Sequence, residues 1–172
     1  MGLQSTHRRV KSPAVAARLT EHIDQLHDVI QEIRTAIFDL QADPVGTPRL
    51  RTVLHDLITG MTAETAVRTT VRMSGPVDAM PPALAHHAQA VVQEAVSNAI
   101  RHARATELTV TVSMDDDVVI DVLDDGVGIP ETVARSGLHN LAQRAVGLGG
   151  SCTVTSPPGG GTRLTWTAPL PE

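Results

Sequence analysis

Val118-Val119-Ile120-Asp121-Val122-Leu123-Asp124-Asp125-Gly126-Val127-Gly128-Ile129 opens as a strongly apolar strand and closes on an Asp followed by two alternate glycines. Glycines one residue apart let a backbone bend tightly against a ligand while the strand-end carboxylate sits in a recess. A plain Asp-Gly hairpin turn uses the same letters, but Val127 and Ile129 are unusual residues for an exposed turn. Before this stretch, Leu108, Val110, Val112 and Met114 alternate with Thr109, Thr111 and Ser113, and Asp115-Asp116-Asp117 makes a turn. The two strands therefore run antiparallel.

Upstream, Pro81-Pro82 opens a helix reaching about Ala103, with Ala88, Val91, Val92, Ala95 and Ala99 on its core face. Glu94, Asn98 and His102 follow at successive i, i+4 steps, one polar row beside that apolar stripe. A carboxylate and a carboxamide at the edge of a buried face are costly unless paired, so the row addresses something. Alone it does not outweigh an ordinary solvated face. With the Asp-x-Gly-x-Gly strand end it is far more specific. Ser136-Gly137-Leu138 opens a further helix to Leu148, and helix-start N–H groups form a natural anion site. Ser151–Ser156 and Thr162–Ala168 make a last hairpin around Pro157-Pro158-Gly159-Gly160-Gly161. A shorter amphipathic segment, Leu50 to Met61, and a half-buried strand with Val67, Thr69, Val71 and Met73 complete the set. The expected fold is α+β: a two-layer α/β sandwich whose mixed, mostly antiparallel sheet is covered by helices.

One long helix precedes it. Ser12 is its N-cap with Pro13 at the first helical position, and Leu19, Ile23, Leu26, Ile30, Ile33, Ile37 and Leu40 step by four and three. That is a heptad seam wanting a partner helix, read here as an intermolecular bundle. Asp43-Pro44 and Gly46-Thr47-Pro48 then form a linker, dividing the chain into residues 1–43 and 49–172.

Composition narrows the class. The 172 residues carry one Cys, so there is neither a disulfide framework nor a Cys-rich zinc site. Lys+Arg at 14 against Asp+Glu at 19 argues against a nucleic-acid partner. No apolar run approaches the roughly 18 residues of a membrane span, and a signal-peptide core is absent, so the expectation is a reduced, cytoplasmic protein with no membrane contact. Aromatics at 1% mean that a planar ligand is held by hydrogen bonds and aliphatic walls rather than by ring stacking. No P-loop and no strand–helix Gly-x-Gly-x-x-Gly is present.

Taken together, Glu94 to Ala103, Asp124 to Gly128, Gly137-Leu138 and Gly161-Thr162 resemble, in that order, the N box and glycine boxes of the Bergerat-fold (GHKL) ATP-binding superfamily of sensor histidine kinases, gyrase, Hsp90 and MutL. Ser136-Gly137-Leu138-His139-Asn140-Leu141-Ala142-Gln143-Arg144-Ala145 with Leu148-Gly149-Gly150 is similar to the histidine kinases paired with LuxR/NarL-type response regulators. Val29 to Leu40 resembles the second helix of their dimerisation hairpin. Within that group the resemblance points to the haem-based dormancy sensor kinases of actinobacteria, with haem expected only in sensory domains upstream.

The resemblance implies ATP and Mg²⁺ as ligands. Asp124 accepts from the adenine amine with Thr162 in support, Asn98 ligates Mg²⁺, and Glu94 orients or polarises the attacking group. Arg101 contacts phosphate, with His102 nearby and more structural in role; Gly126, Gly128 and Gly137 allow close backbone approach, with Ile129 and Leu138 beside them. Partners implied are the kinase's own dimerisation hairpin, a LuxR/NarL-type regulator, and a second copy in a full-length homodimer. Two departures stand out. Arg135 replaces the usual second glycine of the Gly137 box, and either contacts phosphate or makes the lid a poorer binder. The lid from Gly128 to Gly137 is short and lacks a Phe-containing box, so nucleotide binding is expected to be weak. Leu26-His27-Asp28 matches an acceptor motif superficially, but the second-helix segment follows at once. The phosphoacceptor is therefore expected on a helix before Met1, and the fragment alone should not autophosphorylate. The rival readings are an anti-sigma-factor serine kinase and a non-catalytic interaction module.

Overall fold

The computed structural model describes residues 49–128 and 137–171. The heptad segment, Ile129, Arg135 and Ser136 lie outside them. The elements are α1 (Leu50–Thr62), β1 (Arg68–Ser74), a 3₁₀ turn (Val77–Ala79), α2 (Pro82–Asn98), a π segment (Ala99–Ala103), β2 (Glu107–Met114), β3 (Asp117–Asp124), α3 (Gly137–Gly147), β4 (Ser151–Thr155) and β5 (Thr162–Pro169). The strands form one sheet in the order β1-β2-β3-β5-β4. Only β1 and β2 are parallel, with α2 in the crossover between them; the other pairs are antiparallel. The expected mixed, mostly antiparallel sheet is present.

Alternation makes the sheet two-faced. Val110, Val112, Ile120, Val122, Leu164 and Trp166 point to one side and are buried. They join Leu54 and Ile58 of α1, Val91 and Val92 of α2, and Leu141 and Ala145 of α3 in a single core. On the opposite face stand Thr70, Thr109, Thr111, Thr165 and Thr167, β-branched residues that suit a half-wet pleated surface. There Asp121 Oδ2 accepts from Arg163 Nε and Thr165 Oγ1, both at 2.8 Å, tying β3 to β5. No helix among the described residues is long and apolar enough to cross a membrane.

Three local devices fix the frame. Gly60 does not end α1, which runs on to Thr62. Its first turn has no capping side chain of its own; instead Asp78 Oδ1 accepts from Arg51 N at 3.0 Å. The Arg51 guanidinium also donates to the Met73 and Gly75 carbonyls, which locks α1 to the end of β1. At the far end of the domain, Asp125 Oδ1 accepts from Thr106 N at 2.7 Å and Glu107 N at 2.8 Å, and Oδ2 from Thr106 Oγ1 at 2.6 Å. This carboxylate staples the start of β2 to the end of β3. The third device is the helix end. Val127 N donates to Ala103 O at 2.8 Å, and Arg104 turns the chain away in the left-handed region with φ 52.

The Asp125 contacts favour the charged form. The Thr106 hydroxyl first, then the Glu107 and Thr106 amides, lower its pKa from 3.8 to about 2. The contribution to stability is thus complete above pH 3.8 and lost as pH falls toward 2. Asp125→Asn should melt below the parent at neutral pH, with the gap closing over that acid window in calorimetry. Asp78→Ala should lower the urea midpoint at unchanged m-value, by about 1 kcal/mol for a lost helix cap.

Candidate functional site

Register places Asp124, the last residue of β3, between Leu108 on β2 and Thr162 on β5. All are buried, Asp124 at 5% and Thr162 at 4% exposure, so the sheet ends in a polar pair under the helices. Asp124 Oδ1 accepts from Gly126 N at 2.8 Å and Thr162 N at 3.3 Å. Its Oδ2 takes no hydrogen bond among the described residues. Beside it, Thr162 Oγ1 is buried without a partner among the described residues. A buried hydroxyl left unpaired is costly, so an orphan at this place marks a position for a ligand or water atom.

Both residues line a small recess open to solvent. Val122 and Leu164 floor it from the sheet, Ala95 and Ala99 wall it from the helix, and Leu138 closes it from the start of α3. Asn98 is the third polar member, at the helical rim. Its Nδ2 donates to Glu94 Oε1 at 3.2 Å. A carboxylate only accepts, so the Asn98 amide must turn its nitrogen to Glu94 and its Oδ1 away. One oxygen with a fixed orientation suits a hard cation that takes its remaining ligands from phosphate and water. Aliphatic walls with two convergent acceptor and hydroxyl atoms suit a planar base bearing an amine.

Several expected residues stand elsewhere. The i, i+4 row breaks after Asn98, because winding widens to i+5 across Ala99–Ala103. His102, half-buried, therefore leaves the row and lies outside the recess lining, as does the exposed Arg101. Val127 is 75% exposed, so the reading that it is unsuited to an open turn fails: its amide, not its side chain, holds the turn. Ile129 lies outside the described residues.

The glycines answer first to the protein itself. A β carbon on Gly126 would lie 2.1 Å from Ala103 O, and one on Gly137 2.0 Å from Glu94 Oε1. Gly128 needs its left-handed φ of +83. Gly161, which enters the sequence reading only as part of the Gly161-Thr162 motif, decides how close β5 comes: its φ is +83 and a β carbon would lie 1.9 Å from Asp124 O. Its signal was the Gly159-Gly160-Gly161 run opening the strand that faces Asp124. Ala95 and Ala99, read as core, also wall the recess; their small size at i, i+4 was the clue. Along the seam of α2 with α3, His87 Nδ1 is buried without a partner. Burial first, then the charge of Arg144 and His86, lowers the His87 pKa below 6.5.

The solved structure of the blue-light activated histidine kinase of Erythrobacter litoralis EL346 shares the fold, with TM-score 0.64 and 24% identity over 85% of this chain and 49% of that one. In sequence, the nitrate/nitrite sensor protein NarX of Escherichia coli (strain K12) is 38% identical over 101 residues, 56% of this chain. The nitrate/nitrite sensor protein NarQ of the same organism is 29% identical over 154 residues, 87% of this chain. The sensor protein VraS of Staphylococcus aureus (strain COL) is 35% identical over 95 residues, 53% of this chain. The chain spans only 17%, 26% and 27% of the lengths of these relatives. Residues 83–172, which hold the whole recess, match the model of the "Histidine kinase-, DNA gyrase B-, and HSP90-like ATPase" family, and the chain belongs to that family.

Proposed function

We propose that residues 49–172 are the ATP-binding catalytic domain of a cytoplasmic sensor histidine kinase, and residues 1–43 the remnant of its dimerisation hairpin. The kinase would act as a homodimer, passing the γ-phosphoryl of ATP to a His on that hairpin and then to a LuxR/NarL-type response regulator. The finer kinship, with actinobacterial haem-based dormancy sensors, rests on the run from Ser136 to Gly150 and belongs to the same proposal. The carrying observation is the open Asp124 Oδ2 beside the orphan Thr162 Oγ1, in one aliphatic recess rimmed by Asn98.

Each residue has a task that its chemistry suits. Asp124 Oδ2 accepts the exocyclic amine of adenine; guanine presents a carbonyl there, and two acceptors repel. Thr162 Oγ1, directly or through a water, completes the base contact. Asn98 Oδ1 supplies one ligand to Mg²⁺, which neutralises the phosphate tail. Glu94 sits one turn from it, and Arg101, one turn beyond and exposed, would contact phosphate outside the recess. The short lid and the absence of stacking rings favour weak binding.

Calorimetric titration should give ATP binding at least about tenfold tighter than GTP, one unfavourable polar contact, and none for Asp124→Ala. Equal affinity for both nucleotides would refute the assignment. Thr162→Val should do two opposite things. It should raise the melting temperature of the nucleotide-free domain by removing an unpaired buried hydroxyl, and weaken ATP about fivefold to tenfold, the worth of one hydrogen bond. Incubated with Mg-ATP, the chain should phosphorylate a separate dimerisation hairpin bearing an acceptor His while His27 stays unmodified; phosphate on His27 by mass spectrometry would overturn the fragment reading.

A further inference from the structure

Gly137 opens α3 at the end of the recess occupied by Leu138. Its φ is not left-handed, so backbone conformation does not require glycine there. Space does. A β carbon at this position would lie 2.0 Å from Glu94 Oε1 and 3.0 Å from its Cδ. The carboxylate of α2 thus fills the volume that any side chain at the first residue of α3 would need. The same Oε1 accepts from Asn98 Nδ2.

We propose that Glu94 is a positioning residue that joins the start of α3 to the orientation of Asn98, and that position 137 is glycine to make room for it. The proposal rests on the reading of Asn98 as metal ligand. With α3 in place, the carboxylate is confined between Gly137 and Asn98, and Asn98 Oδ1 is turned outward. When position 137 carries a side chain, the carboxylate swings on its two-methylene arm. Asn98 then loses the acceptor that orients its amide. The start of α3 and the metal rim are in this way read by one side chain, so the base end and the phosphate end of the recess become competent together.

The test is a double-mutant cycle on the whole chain with wild type, Gly137→Ala, Glu94→Ala, the double variant and Glu94→Gln. Glycine to alanine in a helix with ordinary φ normally stabilises. Without nucleotide, Gly137→Ala should shift the melting temperature upward by less when Glu94 is present than when residue 94 is Ala, because only in the first case must a side chain give way. In binding, Gly137→Ala and Glu94→Ala should each weaken Mg-ATP about tenfold, the usual effect of losing a partner that orients a metal ligand. The double variant should be no worse than the weaker single one, and ATP without Mg²⁺ should change less than about twofold, since the base contacts are untouched. Glu94→Gln, whose amide oxygen can still accept from Asn98, should bind Mg-ATP like wild type. An equal effect of Gly137→Ala on melting in both backgrounds, or loss of Mg-ATP by Glu94→Gln as by Glu94→Ala, would overturn the proposal. Failure of wild type to bind ATP would instead defeat the functional reading, and the melting cycle would still decide whether Glu94 and Gly137 are coupled.

Discussion

The carboxylate of Asp124 is held at the end of β3 by two backbone amides, one from the turn that follows it and one from the strand beside it. That arrangement is the constraint from which the rest follows. A buried carboxylate is tolerable only when its oxygens are met by donors, and backbone N–H groups are the donors least able to move. Meeting them requires β5 to begin directly opposite, which the register Asp124↔Thr162 provides. It also requires the chain to double back at once, which Gly126 permits by lying against Ala103 O. One oxygen is thereby consumed by the fold, and the other takes no hydrogen bond among the described residues. The protein fixes the direction of recognition with atoms that belong to its own backbone.

Glycines around this carboxylate carry the same logic outward. In a nucleotide-binding loop, glycine is commonly explained by the approach of phosphate. Here Gly126 gives way to a helix end, Gly161 to the Asp124 carbonyl, and Gly137 to the Glu94 carboxylate. Each permits a contact between two pieces of protein that would otherwise stand farther apart. The recess is open because its surrounding segments are drawn together at its edges. Substituting these residues would therefore disturb the site even before any ligand arrived.

Much of this was legible in the letters. The alternation of Leu108 to Met114 and the apolar run ending at Asp124 follow directly from a period of two, and Ala88 to Ala99 from a period of 3.6. The polar row Glu94, Asn98, His102 was legible only in part. Nothing in Ala99-Ile100-Arg101-His102-Ala103 marks a change of winding, since no proline or glycine interrupts it. The π segment ends where the Val127 amide caps Ala103 O, a tertiary contact that local sequence does not record. The same limit hid the cap on α1, whose acceptor Asp78 lies 27 residues from Arg51. It also hid the staple made by Asp125, whose partners lie on the preceding strand. Val127 misled because a β-branched apolar residue in a turn suggests burial, whereas its contribution is an N–H group common to every residue but proline. Direct reading succeeds where periodicity reports burial and fails where a backbone atom is the agent.

Scarcity of aromatic rings then bears on how the recess can discriminate. Val122, Leu164, Ala95, Ala99 and Leu138 offer apolar area that any flat ligand can cover, worth roughly 25 cal/mol per Å² and nearly indifferent to what covers it. The alanines bring the helix close to the sheet, which keeps the slot narrow but adds little contact of their own. Selectivity must therefore come from polar atoms, and among the described residues the polar lining of the recess is Asp124, Thr162 and Asn98. The Thr162 hydroxyl meets no partner among the described residues, so it is free to pair with a ligand or a water. A stacking ring would have strengthened binding to every planar ligand alike. A polar pair such as Asp124 with Thr162 would add affinity chiefly for ligands that bring a donor to the carboxylate.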